Sequence, residues 1–366
     1  MDALERAKAH GNLAQQRLHN QHLAGTPAAT PEEVVARLGA VQAQDYPAAL
    51  WALGLRTRDA TEASVEQACT AGTILRTHVM RPTWHFVSLA DIRRLLALTA
   101  PRVKALLAYY DRKLEVDATL LARSHAVVTQ ALQGGRQLTR TELGVHLAQA
   151  GIPTPNLQRL GQLMMHAELD GLICSGARRG KQFTYALLEE RVPPAPALTR
   201  DEALAALTRR YFTGHGPATL KDFGWWSGLA VADVKAGLDM VQSQLVPEVV
   251  AGQTYWRAAS LPAVRDPAPT VYLLPNFDEY GVGYSDRSAI VDPARTGAID
   301  PKRPIYFGQM IVLGGQIVGA WQRVLGIGTV TISAQTHTPF SAAETAASAA
   351  AAQRYGAFLG LPVRLA

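Results

Sequence analysis

Cysteine is scarce: Cys69 and Cys174 are the only two in 366 residues. They are too few and too far apart for a disulfide framework, and without a CxxC pair they mark no zinc cluster. That usage fits a reducing cytoplasm. No HExxH occurs. The glycines at 176 and 180 make no Walker A loop, because they stand too close together and Gln182 occupies the place of Ser or Thr. No metal and no organic cofactor are therefore expected. The N-terminal MDALERAKAHGNLAQQ lacks an apolar signal core, and no apolar run approaches membrane-spanning length, so neither export nor insertion is expected. Charged residues make up 18% and hydrophobic ones 48%, which excludes a disordered chain. What charge there is leans basic, at +6 with a pI near 9.4, and favours a polyanionic partner.

A length of 366 residues calls for two or three domains. Helices followed by an extended pair recur three times, which is the order of a winged helix-turn-helix module. The first module has PEEVVARLGAV, AALWALGL and SVEQACTAG as helices, then ILRTHVM and RPTWHFVS as strands. A long helical region follows from Val87 to Lys113, capped by Ser88 and broken at Pro101. The second has LTRTELGVHLAQAG with Thr139 as N-cap, then NLQRLGQLMMHAELDG, then the hairpin LICSGARRGKQFTYALL. The third has PATLKDFGWWSG and VADVKAGLDMV before the strands QLVPEVV and TYWRAA. RVPPAPALT, residues 191–199, reads as a proline-rich linker. From Val271 the signal changes to short strands, VYLLPNF, IYFGQMIVLGG, QIVGAWQRV and TVTISAQT, with Gly314–Gly315 as a hairpin turn. An alanine-rich helix from Pro339 to Leu359 closes the chain. The expected fold is α+β. It has three tandem winged helix-turn-helix modules at 1–113, 114–191 and 192–262, then a β-barrel-like domain at 263–366.

Arg37 to Arg58, RLGAVQAQDYPAALWALGLRTR, carries the strongest sign of chemistry. Gln42 and Gln44 are two apart, a spacing that puts both on one face of a strand but roughly 200° apart around a helix. They converge on one target only if Val41 to Asp45 is extended. Asp45 and Tyr46 precede Pro47, which suits a helix start. Both glutamines then stand on a short connector at a helix N-terminus, where amides often serve a site. The plainer alternative is that they tie down backbone in a buried turn.

This block, together with ILRTHVMRPTWHFVSLADIRRLL and YLLPNFDEYGVGYSDR, resembles the signature blocks of the AlkZ-like winged-helix DNA glycosylases. The likeness runs through nearly the whole chain in the same order. It implies a C-shaped cradle of winged helices and β-barrel around duplex DNA, with alkylated purines or interstrand crosslinks as substrates. It also implies a Gln-x-Gln motif that carries the chemistry, matched here by Gln42 and Gln44. One departure is Arg81-Pro82-Thr83, where the family pattern has Arg-Gly-Thr. Proline removes a backbone donor there.

The implied chemistry suits neutral amides. An N7-alkylated purine already carries positive charge and leaves without protonation, so what remains is to place a water below C1′ and stabilise an oxocarbenium-like sugar. A carboxamide oxygen accepts from that water and its NH₂ holds a neighbour. Asp45 would add negative charge, although capping the next helix explains it equally well. His85 in the predicted ribbon and Asp278 in the block Asn276 to Tyr280 are secondary candidates. Arg76 and Arg81 on the ribbon, and Arg178, Arg179 and Lys181 in the basic wing GARRGKQFTY, are candidates for DNA contact. The Asp286–Arg287 neighbourhood reads as fixing a domain junction, the plainer alternative to a catalytic role for that block, and Trp225–Trp226 as core. The partner expected is damaged double-stranded DNA bound by a monomer close to the nucleoid, and no lysine marks a lyase step. The main rival is a winged-helix transcription regulator reading bases through Asn156, Gln158, Arg159 and Gln162. A metal-dependent nuclease or an architectural protein is supported by less.

Overall fold

Several helix starts in this chain are set by side-chain caps that the sequence displays. A computed structural model describes residues 3–194, 198–259, 269–291 and 307–366. The middle of the proline-rich linker, the first residues of IYFGQMIVLGG and the expected boundary at 262 and 263 lie outside them. In chain order, α1 (Ala3–Asn20) precedes α2 (Pro31–Leu38), where Thr30 caps the Glu33 N–H. The short β1 (Val41–Gln42) leads to α3 (Tyr46–Gly54), capped by Asp45 on the Ala48 N–H. Next come α4 (Glu62–Ala71), β2 (Ile74–Val79), β3 (Arg81–Ser88), α5 (Ile92–Lys113) and α6 (Ala118–Leu132). β4 (Leu138–Thr139), α7 (Arg140–Gln149), α8 (Leu157–Leu169), β5 (Ile173–Ser175), β6 (Thr184–Leu187) and α9 (Leu188–Arg191) follow. The chain continues with α10 (Arg200–Gly214), α11 (Leu220–Ser227), α12 (Val231–Val241), β7 (Leu245–Val250), β8 (Gln253–Ala258), β9 (Val271–Leu274) and α13 (Glu279–Val282). It ends with β10 (Met310–Leu313), β11 (Gln316–Gly326), β12 (Thr329–Thr336), α14 (Ala342–Leu359) and β13 (Val363–Leu365).

These elements form two compact units, one of residues 1–66, 205–226 and 230–366, the other of 67–204 and 227–229. In the first, the C-terminal strands make an open five-stranded sheet ordered β13-β12-β11-β10-β9, parallel only between β12 and β13. A β-barrel-like domain was expected; the described strands leave the sheet open, and its apolar face is covered by α14, which removes the need for closure. Trp51 of α3, Trp321 of β11 and Tyr355 of α14 pack with ring centroids 4.9 to 5.2 Å apart. Trp51 and Trp321 donate their indole N–H groups to the carbonyls of Leu273 and Leu274, so the aromatic layer also pins β9. Gly54 must be glycine for α3 to pass Phe358, since a Cβ there would lie 2.4 Å from the ring. The expected Gly314–Gly315 turn is present, both residues at positive φ, between the paired Leu313 and Gln316.

The second unit carries an apolar cluster that includes Leu132, Leu143, Leu147, Leu163 and Ile173. Its three-stranded sheet is ordered β4-β6-β5. A capping box between Thr139 and Glu142 starts α7. Two expectations about the long helix need correction. It begins at Ile92 after Asp91, whose carboxylate accepts from the Ser88 hydroxyl, so Ser88 is one step removed from the cap. It also runs unbroken through Pro101, flanked by the buried Ala100 and Val103, because tertiary packing outweighs the lost intrahelical bond. The proline at 82 is equally well accommodated. In the β2–β3 hairpin the register passes from His78↔Trp84 to Val79↔Arg81, which leaves Pro82 and Thr83 in a bulge with no ladder bond to lose.

Candidate functional site

The glutamine segment is anchored from below. The strand β1 ends at Gln42, and Gln44 and Asp45 stand in the bend that enters α3. The alternate spacing is thus carried by a strand end and a bend that together form a short connector before α3, with Gln42 half-buried and Gln44 exposed. The backbone N–H of Gln42 donates to Glu279 Oε1 at 2.9 Å. Its carboxamide oxygen is turned inward and meets no hydrogen-bond partner among the described residues. A buried acceptor left so costs about 1–3 kcal/mol, a cost that a site for a bound group explains. Asp45 faces two ways: Oδ1 caps α3, while Oδ2 accepts from Asn276 Nδ2 at 3.1 Å.

Both anchors come from the turn Asn276–Glu279. Phe277 takes a left-handed φ of 58°, which costs a non-glycine residue about 1–2 kcal/mol. The reversal sends Asn276 toward Asp45 and the two acids into the interior. Asp278, a candidate for supporting catalysis, is fully buried. It accepts from Arg56 Nη1 and Nη2 at 2.8 and 2.7 Å and caps α13 on the Tyr280 N–H. Its lone pairs are spent on structure. Glu279 Oε2 receives Trp226 Nε1–H at 3.0 Å and lies 3.3 Å from His215 Nε2. His215 is itself fully buried and stacks on Tyr211 at 4.8 Å. On the exposed side, Arg323 of β11 is held below the usual arginine range by burial, an effect that the charges of Asp45 and Glu62 oppose.

Asp286 and Arg287 turn to different neighbours. Asp286 accepts from the Tyr255 hydroxyl at 2.8 Å, and desolvation is outweighed by that and its Ser288 bonds, which hold its carboxyl low. Arg287 lies over the rings of Trp225 and Phe307. Trp226 is core, whereas Trp225 is 43% exposed.

The second unit holds the remaining candidates. His85 is fully buried, its Nδ1 3.0 Å from the Thr83 carbonyl. Arg76 is buried with its guanidinium over Trp84 and Phe183, at 4.3 and 4.4 Å from the ring centres. Arg81 is half-buried beside the hairpin bulge. In the wing, Arg178 lies over Phe183, and Lys181 is exposed in the turn from Arg179 to Gln182, where Gly180 has φ 58°. Arg179 is committed more than expected: it donates to Glu142 Oε1 at 3.0 Å and to the Gln137 carbonyl at 3.1 Å. That hydrogen bond, with those from Thr139, holds Glu142 down to about 2.

The base-reading set of the regulator alternative is mostly spent internally. Asn156 caps α8, Arg159 donates to the Glu115 carbonyl, and Gln162 is buried on Asp111. Arg56 and His215 were not singled out from the sequence; Asn276 and Glu279 were noticed only through the density of acids and aromatics around residue 278, and Trp226 only as core.

Comparison with known proteins identifies the family. The model of the family described as DNA glycosylase AlkZ-like matches residues 35–358. An interstrand DNA cross-link repair glycosylase of Streptomyces sahachiroi is 25% identical over 328 residues, covering 84% of this chain and 86% of that protein. The solved structure of the Streptomyces sahachiroi DNA glycosylase AlkZ superposes with a TM-score of 0.78 at 21% identity, over 97% of this chain and 99% of that one. The fold is therefore a mixed α/β fold similar to AlkZ, and the chain belongs to the AlkZ-like DNA glycosylase family.

Proposed function

We propose that this protein is a monofunctional DNA glycosylase that hydrolyses the N-glycosidic bond of cationic N7-alkylated purines in duplex DNA, interstrand crosslinks among them. The observation that carries the reading is the Gln42 carboxamide oxygen, buried and without a hydrogen-bond partner among the described residues, on a segment braced by Glu279 and Asn276. Water accepted there attacks C1′ as the C1′–N9 bond breaks. N9 takes the bonding pair, which neutralises the cationic ring, and the water gives its proton to solvent. Gln42 and Gln44 position the water, and Asp45 offers charge to the oxocarbenium-like sugar. The crosslink repair named for the Streptomyces relative is the ground for including crosslinks.

The same reading takes residues 1–113, 114–191 and 192–262 as winged-helix modules preceding the C-terminal sheet domain. Its support is a repeated order. In the second, α6, β4, α7, α8 and the β5–β6 hairpin follow one another, and β4 pairs with β6. In the third, Ala218 bridges Trp256 of β8 ahead of α11 and α12. Arg81, Arg178 and Lys181 are the proposed DNA contacts, joined by Arg179 where it is released from Glu142, and the protein acts as a monomer in the cytoplasm at the nucleoid.

The test is incubation with duplex DNA holding one 7-methylguanine, followed by alkali to cleave abasic sites. Gln42→Ala and Gln44→Ala should each slow single-turnover excision by roughly 10²–10³-fold, the usual loss for one preorganised donor or acceptor, while DNA affinity stays nearly constant. Normal excision by both variants overturns the assignment. Neutral bases such as uracil should leave more slowly by about 10²–10⁴-fold, the worth of the general acid that this motif lacks.

A further inference from the structure

We infer that Glu279 is a positioning residue for the glutamine motif, acting through the backbone N–H of Gln42 and held in register by Trp226 and His215. The inference rests on the reading of Gln42 given above. Glu279 begins the short helix α13, is 1% exposed, and reaches a residue 237 positions earlier in the chain. Its two oxygens have different duties. Oε1 takes the Gln42 N–H at 2.9 Å, and Oε2 faces Trp226 Nε1–H at 3.0 Å and His215 Nε2 at 3.3 Å.

The ring nitrogens of His215 settle its role. Nδ1 is buried and meets no hydrogen-bond partner among the described residues, whereas Nε2 faces a carboxylate. A proton on Nε2 has an acceptor and a proton on Nδ1 has none, so Nε2 carries it. The carboxylate therefore has donors on both sides, and only a group that accepts through both oxygens fits. A buried carboxylate that receives several N–H groups is fixed more firmly than a neutral acceptor would be. Rotation of the Glu279 head would break bonds on both sides at once. The end of β1 is held at the point where the Gln42 side chain departs, and the direction of its carboxamide oxygen follows.

This explains why glutamine is a poor replacement at 279, although it matches glutamate in shape. An amide keeps one acceptor and turns the other into a donor. Directed at Trp226 and His215, its NH₂ would oppose two N–H groups; turned about, it would oppose the Gln42 N–H. Removing the Trp226 donor relieves the conflict. His215 then accepts from the new amide through Nε2 with its proton on Nδ1, which leaves one buried donor unpaired in place of two opposed N–H groups, while the amide oxygen still receives Gln42.

The experiment measures single-turnover release of 7-methylguanine and duplex affinity for Glu279→Gln, Trp226→Phe and the double variant. Glu279→Gln should lower the rate by roughly 10–100-fold, the scale of a misplacement near 1 Å, with affinity within about twofold because no phosphate contact changes. The double variant should be faster than Glu279→Gln alone, a sign reversal that mere loss of stability does not produce. A double variant equal to or slower than the single one overturns the inference, as does a Glu279→Gln enzyme of normal rate. If Glu279→Gln does not fold, replacing the peptide N–H of Gln42 by an ester oxygen tests the same bond with every side chain kept; an unchanged rate in that protein also overturns it. Loss of excision in Gln42→Ala with normal rates in these variants would reject this inference alone. Normal excision in Gln42→Ala would reject the underlying reading instead.

Discussion

Two arginine–carboxylate pairs, one in each unit, show how differently the two regions use charge. Arg56 and Asp278 are almost wholly buried and joined by two hydrogen bonds, and Arg56 also donates to the carbonyls of Gln21 and Ala52 and to Gln21 Oε1. Arg179 and Glu142 lie at the surface, 50% and 41% exposed. The first pair has no water to fall back on, so each member depends on the other. The second is solvated and screened, and exchanges partners at little cost. The acids and amide around the glutamines belong to the rigid kind. The wing belongs to the exchangeable kind, which suits a surface that must accept phosphates of any sequence.

The sharpest way to break this contrast is Arg56→Met. It strands the Asp278 carboxylate inside the protein and should cost about 3–5 kcal/mol, read as a lower urea midpoint with an unchanged slope. Adding Asp278→Leu should recover much of the loss, since an apolar pair of similar volume carries no desolvation penalty. A stability change in Arg56→Met no larger than that of an ordinary surface substitution would show that water reaches the pair.

The next effect is on binding. Lys181→Ala and Arg178→Ala should each flatten the log–log salt dependence of duplex affinity by roughly 0.9, one phosphate contact apiece. Excision at saturating enzyme should be kept. A triple variant that also carries Arg179→Ala and shows an unchanged slope would mean that the wing faces away from the duplex.

Local signals explain what was legible in the chain, and distance explains what was not. Thr139 with Glu142, Asp45 before Pro47 and Gly314–Gly315 act within a few residues, so their caps and turn could be read directly. The β strands from Val271 were also legible, but an open sheet and a barrel share the same alternation, and only the packing of α14 decides between them. Pro101 misled because a helix anchored by neighbouring side chains tolerates a proline that an isolated one would not. In the site, the spacing of Gln42 and Gln44 drew attention to the right segment. Their braces could not be seen: Glu279 lies 237 positions from Gln42, Asn276 lies 231 from Asp45, and Asp278 lies 222 from Arg56. The stacking of Arg76 on Phe183 was not legible either, because nothing nearby in sequence announces that ring as its cover.

The smallest expected effect is also the most specific to the wing. Glu142→Gln preserves the capping box of α7, because glutamine serves at that position as well as glutamate does. It removes the charge that holds Arg179, so the guanidinium becomes available to a phosphate. Duplex affinity at low salt should rise, and the salt slope should steepen by up to roughly 0.9. Acid should not mimic the substitution over the ordinary range. The Glu142 carboxyl is held down to about 2 from 4.5, first by Arg179 and then by Thr139. A depressed carboxylate keeps its bonds above its unfolded value and loses them only as pH falls toward the folded one. Wild-type protein measured at pH 5 and pH 7 should therefore show no slope change attributable to this pair, while Glu142→Gln shows the steeper slope at both. An equal slope in wild type and Glu142→Gln would mean that Arg179 leaves Glu142 for phosphate already, and that the surface pair holds it even less than its exposure suggests.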